Sequence, residues 1–145
     1  MKAKWSVLLW MGMASWAYAE PNLYYGLMNN TDGIQVLAPV QSSFSRTGSR
    51  PFCWVAAPVM AADKKVMIEE IFTSPKGAVF QGAEGVVQNN ADGSQHVLKY
   101  QAVPNRNKQV AHCIQFDKTD PVGAYQVKVS IDGQSFPAFS FDLQP

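Results

Sequence analysis

From residue 124 to 131 the chain alternates strictly between two kinds of side chain. Tyr125, Val127, Val129 and Ile131 fall on one side, while Gln126, Lys128 and Ser130 fall on the other. A period of two belongs to an extended strand with one face in a core and one in water, and it cannot be carried by a helix. Asp132-Gly133 follows at once, the strongest short signal for a hairpin turn. The return strand, about 135–143, then places Pro137, Phe139, Phe141 and Leu143 on one side and leaves Phe136 outside that row. Pro137 has no amide hydrogen to give to a ladder, so the return strand is expected to border its sheet there.

The rest of the chain repeats this grammar. Strands are expected near 22–28, 34–38, 51–57, 65–73, 78–81, 85–88, 95–103 and 108–116. Turn residues separate them at Asp32-Gly33, Thr47-Gly48-Ser49-Arg50-Pro51, Ala62-Asp63, Ser74-Pro75-Lys76-Gly77 and Asn89-Asn90-Ala91-Asp92-Gly93. Two more such stretches are Pro104-Asn105-Arg106-Asn107 and Thr119-Asp120-Pro121. The one helical candidate, 59–70, holds Met60, Ala61 and Ala62, but the alternation of Val66 and Ile68 with Phe72 reads as strand. Short strands with turns every 8–12 residues describe an all-β sandwich or barrel, here of about seven to nine antiparallel strands.

The N-terminus predicts export. Lys2 and Lys4 precede an apolar run from Trp5 to about Ala14, and Ala17-Tyr18-Ala19 supplies a small-residue cleavage pattern before Glu20. The apolar run is roughly half the ~20 residues a membrane span needs, so residues 1–19 read as a cleavable signal peptide and 20–145 as the domain. No stable membrane anchor is expected after cleavage. The short basic segment and the Ala-x-Ala end point to a bacterial leader and to the periplasm, or to secretion beyond it. Lys2 and Lys4 leave with the leader, so ten basic and eleven acidic residues remain, a net charge of −1. A near-neutral chain has no electrostatic reason to seek nucleic acid or anionic lipid.

Two cysteines survive cleavage, Cys53 and Cys113, and an even count in an oxidising compartment predicts a disulfide. Asp120-Pro121-Val122-Gly123-Ala124-Tyr125 resembles the Asp-x-x-Gly-x-Tyr corner of immunoglobulin-like and fibronectin-III-like sandwiches. The resemblance implies an Asx turn at Asp120, a positive φ at Gly123, and a Tyr125 hydroxyl bonded back to the turn backbone. It also implies that Cys53 and Cys113 lie on the strands equivalent to B and E, neighbours in one sheet. The antibody pattern departs here: Val127 stands where its second cysteine would be, and Trp54 directly follows Cys53.

No enzyme is expected. His96 and His112 are the only histidines, and no Gly-x-Ser-x-Gly elbow accompanies them. His112 and Cys113 are consecutive strand residues on opposite faces, and so are Glu69 and Glu70, which breaks both a Cys–His pair and a paired-carboxylate site. If Val110, Ile114 and Phe116 face the core, His112 shares their side as a hydrogen-bonded, partly buried residue. An enzyme reading would gain from finding His96 or His112 in a cleft beside carboxylates. The asparagine-rich 89–93 segment lacks the acidic spacing of a calcium loop and reads as a polar hairpin. No metal or other cofactor is expected.

Binding through apolar surface is what remains. One of Tyr24 and Tyr25 must face outward, and Tyr24, Phe52, Trp54 and Phe136 are the candidate partner-contacting residues. Both faces of the Cys53 strand are apolar, so one is expected to be covered by a partner or by residues 20–46. The expected function is that of an exported binding or accessory domain that contacts another envelope or secreted protein. The alternatives are a fimbrial-type subunit built by strand addition, against which the complete terminal hairpin stands, and an envelope inhibitor or immunity protein.

Overall fold

The computed structural model describes residues 20–31, 34–38, 42–60, 64–82 and 85–145. The segment 1–19 expected to be a signal peptide and the expected Asp32-Gly33 and Ala62-Asp63 turns lie outside the described residues. The strands are β1 (Asn22–Thr31), β2 (Ile34–Leu37), β3 (Ser43–Ser45), β4 (Phe52–Ala57), β5 (Val66–Thr73) and β6 (Val86–Asn89). They continue with β7 (Gln95–Ala102), β8 (Val110–Ile114), β9 (Gly123–Ile131), β10 (Gln134–Ser135) and β11 (Phe139–Gln144). One sheet runs β2-β1-β4-β8 and the other β3-β11-β9-β5-β7-β6, with β10 on β9. The fold is an immunoglobulin-like β-sandwich: β1, β4 and β8 take the places of A, B and E, and β5, β9 and β11 those of C, F and G.

Alternation drives the assembly. Inward rows from both sheets meet in one core: Phe52, Trp54 and Ala56 from β4, Ile68 and Phe72 from β5, Leu98 from β7, and Tyr125, Val127 and Val129 from β9. Each is at least 94 % buried, and burying such side chains stabilises the fold by about 1.5–3 kcal/mol apiece. Phe52 and Trp54 therefore do not form the partner surface expected of them. Their face of β4 is covered by the facing sheet, at 2 % and 1 % exposure.

Phe136 is a second correction, at 6 % exposure. Ser135 pairs with Ser130, but Phe139 pairs with Val127, so the return strand holds one residue more than its neighbour between these rungs. Such a bulge shifts the alternation by one, and both Phe136 and Phe139 turn inward while Pro137 stays exposed. The break also splits the expected single strand into β10 and β11. Segment 78–81, expected as a strand, is not one either. The Phe80 amide bonds to the Asn89 side chain and the Ala78 amide to the Gly93 carbonyl, so no ladder partner is left for them. One pair departs from the antiparallel expectation, β3 lying parallel to β11.

The cysteine pairing is found as expected, and the corner is found at Gly123 and Tyr125 but not in its Asx turn, which was expected at Asp120. The Tyr125 hydroxyl donates to the Pro121 carbonyl at 2.7 Å, and burial, followed by the Asp120 charge, pushes it up to about 12. Gly123 has φ 128°, and a Cβ there would sit 3.1 Å from the Pro75 ring. The Asx turn falls on Asp117, whose Oδ1 accepts from the Thr119 amide at 2.6 Å. Asp120 instead reaches back to accept from the Asp117 amide at 2.7 Å, closing the turn from its far end. Cys53 and Cys113 stand directly opposite on β4 and β8 and are joined, with Cα atoms 4.1 Å apart. The bridge links neighbours in one sheet and closes a separation of 60 residues.

Two measurements check these ties. Removing the bridge with Cys53→Ala and Cys113→Ala should lower unfolding free energy by about 4 kcal/mol, the chain-entropy value for a loop of this size. Tyr125→Phe, which deletes only the corner hydrogen bond, should cost about 1 kcal/mol in urea unfolding.

Candidate functional site

Three places hold polar or apolar groups that the core does not need. The first is centred on Glu70. On β5 the inward row reads Val66, Ile68, Glu70, Phe72, so strand register alone carries this carboxylate into the sandwich, where it is fully buried. Trp54 on β4 donates its indole N–H to Oε1. The Nδ1 of His112 on β8 lies 3.0 Å from Oε1 and 2.9 Å from Oε2. Tyr25 and Tyr100 close the ring: burial, then the Glu70 charge, raises both hydroxyls far above the usual phenol range. The site is thus a buried acceptor bonded by Trp54 of β4 and His112 of β8, while the nearby Tyr25 and Tyr100 hydroxyls are buried without a partner.

His112 also lines two cavities on the open side of the sandwich, so a histidine does stand in a cleft beside a carboxylate. Its chemistry is limited by what surrounds it. Nδ1 is taken up by Glu70, the ring packs against Tyr100 with centroids 5.2 Å apart, and no hydroxyl or thiol bonds to it among the described residues. Glu70 has no exposed surface through which to reach a substrate.

The second place is His96 on β7. Its Nδ1 donates to Asn89 Oδ1 at 2.5 Å and its Nε2 meets the Ser74 hydroxyl at 2.8 Å. The ring is fully buried and packs at a tilt against Phe80, centroids 4.5 Å apart. Asn89 holds Phe80 from both its amide and its carbonyl, so this cluster pins segment 78–80 across the sandwich. Desolvation lowers the His96 pKa, which favours the neutral ring in the fold.

The third place is the outer face of the four-stranded sheet. Asn22, Tyr24 and Gly26 of β1 pair with Ala57, Val55 and Cys53 of β4, and the latter two pair with Ala111 and Cys113 of β8. No residue in this array is charged. Tyr24 is 54 % exposed, as the outward member of the tyrosine pair, while Tyr25 turns in. A groove lined by Tyr24, Met28, Leu37, Val55 and Ala111 runs across it, with Asn105 and Gln109 at the rim. By contrast, the outer face of the other sheet carries Lys128, Asp142 and a Glu69–Lys99 ion pair at 3.1 Å. Of the four candidate contact residues, only Tyr24 is on an accessible surface.

Glu70 was weighed from the sequence only as half of a Glu69–Glu70 pair, and its burial was missed. Its signal was present: an acid in phase with Val66, Ile68 and Phe72 has to be buried if that row is.

The strand order and the corner define the class, an immunoglobulin-like β-sandwich closed by a B–E disulfide. The model of the PM0630 beta sandwich domain matches residues 23–144, and the chain belongs to that family. No curated protein matches the chain. Among solved structures, it is similar to an immunoglobulin-like protein from Pseudomonas aeruginosa at 14 % identity and a TM-score of 0.48, over 88 % of this chain and 99 % of the other. It is also similar to the Pseudomonas fluorescens alkylpurine DNA glycosylase AlkC at 10 % identity and a TM-score of 0.44. That match spans 88 % of this chain and 31 % of the other.

Two predictions follow from the buried groups. Glu70→Ala strands the Trp54 and His112 donors and should cost about 3–5 kcal/mol, whereas Glu70→Gln, which keeps an acceptor for Trp54, should cost less in the same unfolding assay. For His96 the folded pKa lies below the unfolded value of 6.5, so the unfolded chain binds more protons below that pH. Stability should therefore fall as pH drops from 7 towards 5, and His96→Gln should flatten that slope relative to wild type. Asp92 and Asp117, both held low by hydrogen bonds, act in a separate window below pH 4.

Proposed function

We propose that this is an exported, non-enzymatic binding domain that contacts another envelope or secreted protein through the outer face of its four-stranded sheet. The carrying observation is the asymmetry between the two outer faces: one bears charges and an ion pair, the other is an uncharged array around Tyr24, Val55, Ala111 and the disulfide. A half-exposed tyrosine at the centre of an apolar, charge-free patch has the composition of an interface core. The leader at 1–19 and the disulfide support an extracytoplasmic setting, since such bridges persist where the medium is oxidising. A non-catalytic role is supported by the two histidines. One is sealed in the core with Ser74, and the other is tied to a carboxylate that no substrate can reach.

The test uses a photo-reactive amino acid placed at Tyr24 or, as a control, at Gln126 on the charged face. Exported from the cell, the Tyr24 version should capture a discrete envelope protein and the Gln126 version should not. With the captured protein purified, Tyr24→Ala should weaken binding at least tenfold, about 1.4 kcal/mol, without changing the melting temperature. Equal labelling from both positions would remove the support for this face.

A further inference from the structure

The four-stranded sheet stops one strand short. In the seven-strand immunoglobulin arrangement the strand equivalent to E is flanked by D, but here, among the described residues, β8 pairs with β4 alone, and the next strand upstream, β7, has joined the other sheet. The disulfide shows which backbone groups this leaves open. A Cα separation of 4.1 Å marks Cys53–Cys113 as a narrow, non-hydrogen-bonded rung. Val110, His112 and Ile114 therefore bond to β4, and the amide and carbonyl groups of Ala111 and Cys113 point away from it. Among the described residues none of those four groups has a backbone partner, and both residues are exposed. Natural edges are commonly guarded by lysine, proline or a bulge, and Val110–Ile114 contains none of these.

Beneath this edge lie the two cavities flanking His112. One, about 390 Å³, has Phe80, Leu98, Ile114 and Phe116 in its walls together with the polar Gln81 and Gln115, and ends at Asp117 and Asp120. The other, about 580 Å³, is lined by Leu98, Tyr100, Ala102, Val103 and Ala111 and ends at Lys65. The groove thus has apolar walls broken by polar side chains, Gln81, Gln115 and Thr119 in the first cavity and Gln101 in the second, and is negative beyond the C-terminal end of β8 and positive beside its N-terminal end.

We infer that β8 is a docking edge for an extended segment of a partner protein, which adds antiparallel as the missing strand. Its residues opposite Ala111 and Cys113 exchange hydrogen bonds with them. Its alternate side chains, roughly 7 Å apart, point inward to the cavities on either side of His112 and are apolar. An antiparallel segment starts at the Asp117 end and finishes at the Lys65 end, so a basic residue before the apolar alternation and an acidic one after it complete the match. A second copy of this chain fits less well: its own β8 would bring inward side chains already committed to its core, leaving both cavities unfilled. This inference rests on the binding-domain reading and names the partner's chemistry, but it uses the edge of the sheet and not its outer face.

The test uses the peptide Lys-Val-Thr-Val-Thr-Val-Glu and the ¹⁵N-labelled domain without its leader. Binding is expected with a Kd of roughly 10–100 µM, with the Ala111 and Cys113 amides protected from exchange at least tenfold. The peptide with its end charges exchanged should bind at least threefold more weakly. Ala111→Pro removes an edge donor while sparing every bond to β4, and should weaken binding at least tenfold. Should that variant fail to fold, peptide methylation decides: N-methyl groups on the two threonines should abolish binding, and N-methyl groups on the valines should not. Unchanged Ala111 and Cys113 amides at millimolar peptide, or equal effects of the two methylation patterns, would overturn the inference. So would a wild-type dimer that Ala111→Pro dissolves, because the occupant would then be a second copy. Because the outer-face variant Tyr24→Ala should leave this peptide's binding unchanged, failure at the edge and failure at the face are separately visible.

Discussion

Glu70 sits where a charge costs most, at the centre of a sandwich whose other inward side chains are nearly all apolar. Left alone there it would be destabilising by several kcal/mol, and its donors come from other strands: Trp54 and His112 across the gap between sheets, with Tyr25 and Tyr100 around them. The hydrophobic rows set how strongly the sheets associate, but apolar contact is non-directional and tolerates sliding. The Glu70 cluster is directional, because only one superposition of β4 and β8 over β5 brings an indole N–H and an imidazole nitrogen to the same carboxylate. The position of one sheet on the other, and hence the shape of the groove beside His112, follows from that superposition.

The disulfide has a different role. A bridge between facing sheets would reinforce the core, but this one joins neighbours that already share a ladder. Its work is done in the unfolded chain, where it shortens a 60-residue separation, and at the edge, where it holds β8 in place without a strand on its far side. A short strand with one neighbour is the part of a sheet most prone to fray. Tying it covalently to β4 lets that edge stay open without being lost. The same bridge adds to the uncharged outer face around Tyr24 and Val55. Stability and surface character at β8 thus have one cause.

Much of this was legible from residue order. The 124–131 alternation, the Asp132-Gly133 turn and the corner at 120–125 rest on local chemistry, which is what a sequence states directly, while the B–E assignment of the cysteines came from the resemblance that the corner carries. Phe136 was misplaced because one extra residue between Ser135 and Phe139 reverses the alternation, and a bulge is visible only when two strands are laid side by side. Segment 78–80 looked like a strand because its residues suit one. Its hydrogen bonds go to Asn89 and Gly93, a choice made by the hairpin it crosses. Phe52 and Trp54 were apolar enough for an interface or a core, and composition alone does not distinguish the two.

The sequence by itself determined that the chain is built of short alternating strands, that it carries two cysteines able to pair, and which residues on each strand share a face. Periodicity, turn chemistry and covalent constraint act over a few residues or through a single bond, so they survive without knowledge of neighbours. The tertiary structure alone decided which face of each strand is covered, that Glu70 and His112 meet, and that β7 leaves β8 to join the opposite sheet. Those outcomes depend on how whole sheets stack and which edges remain open. They are set by free-energy differences summed over many distant contacts, and no single stretch of sequence contains them.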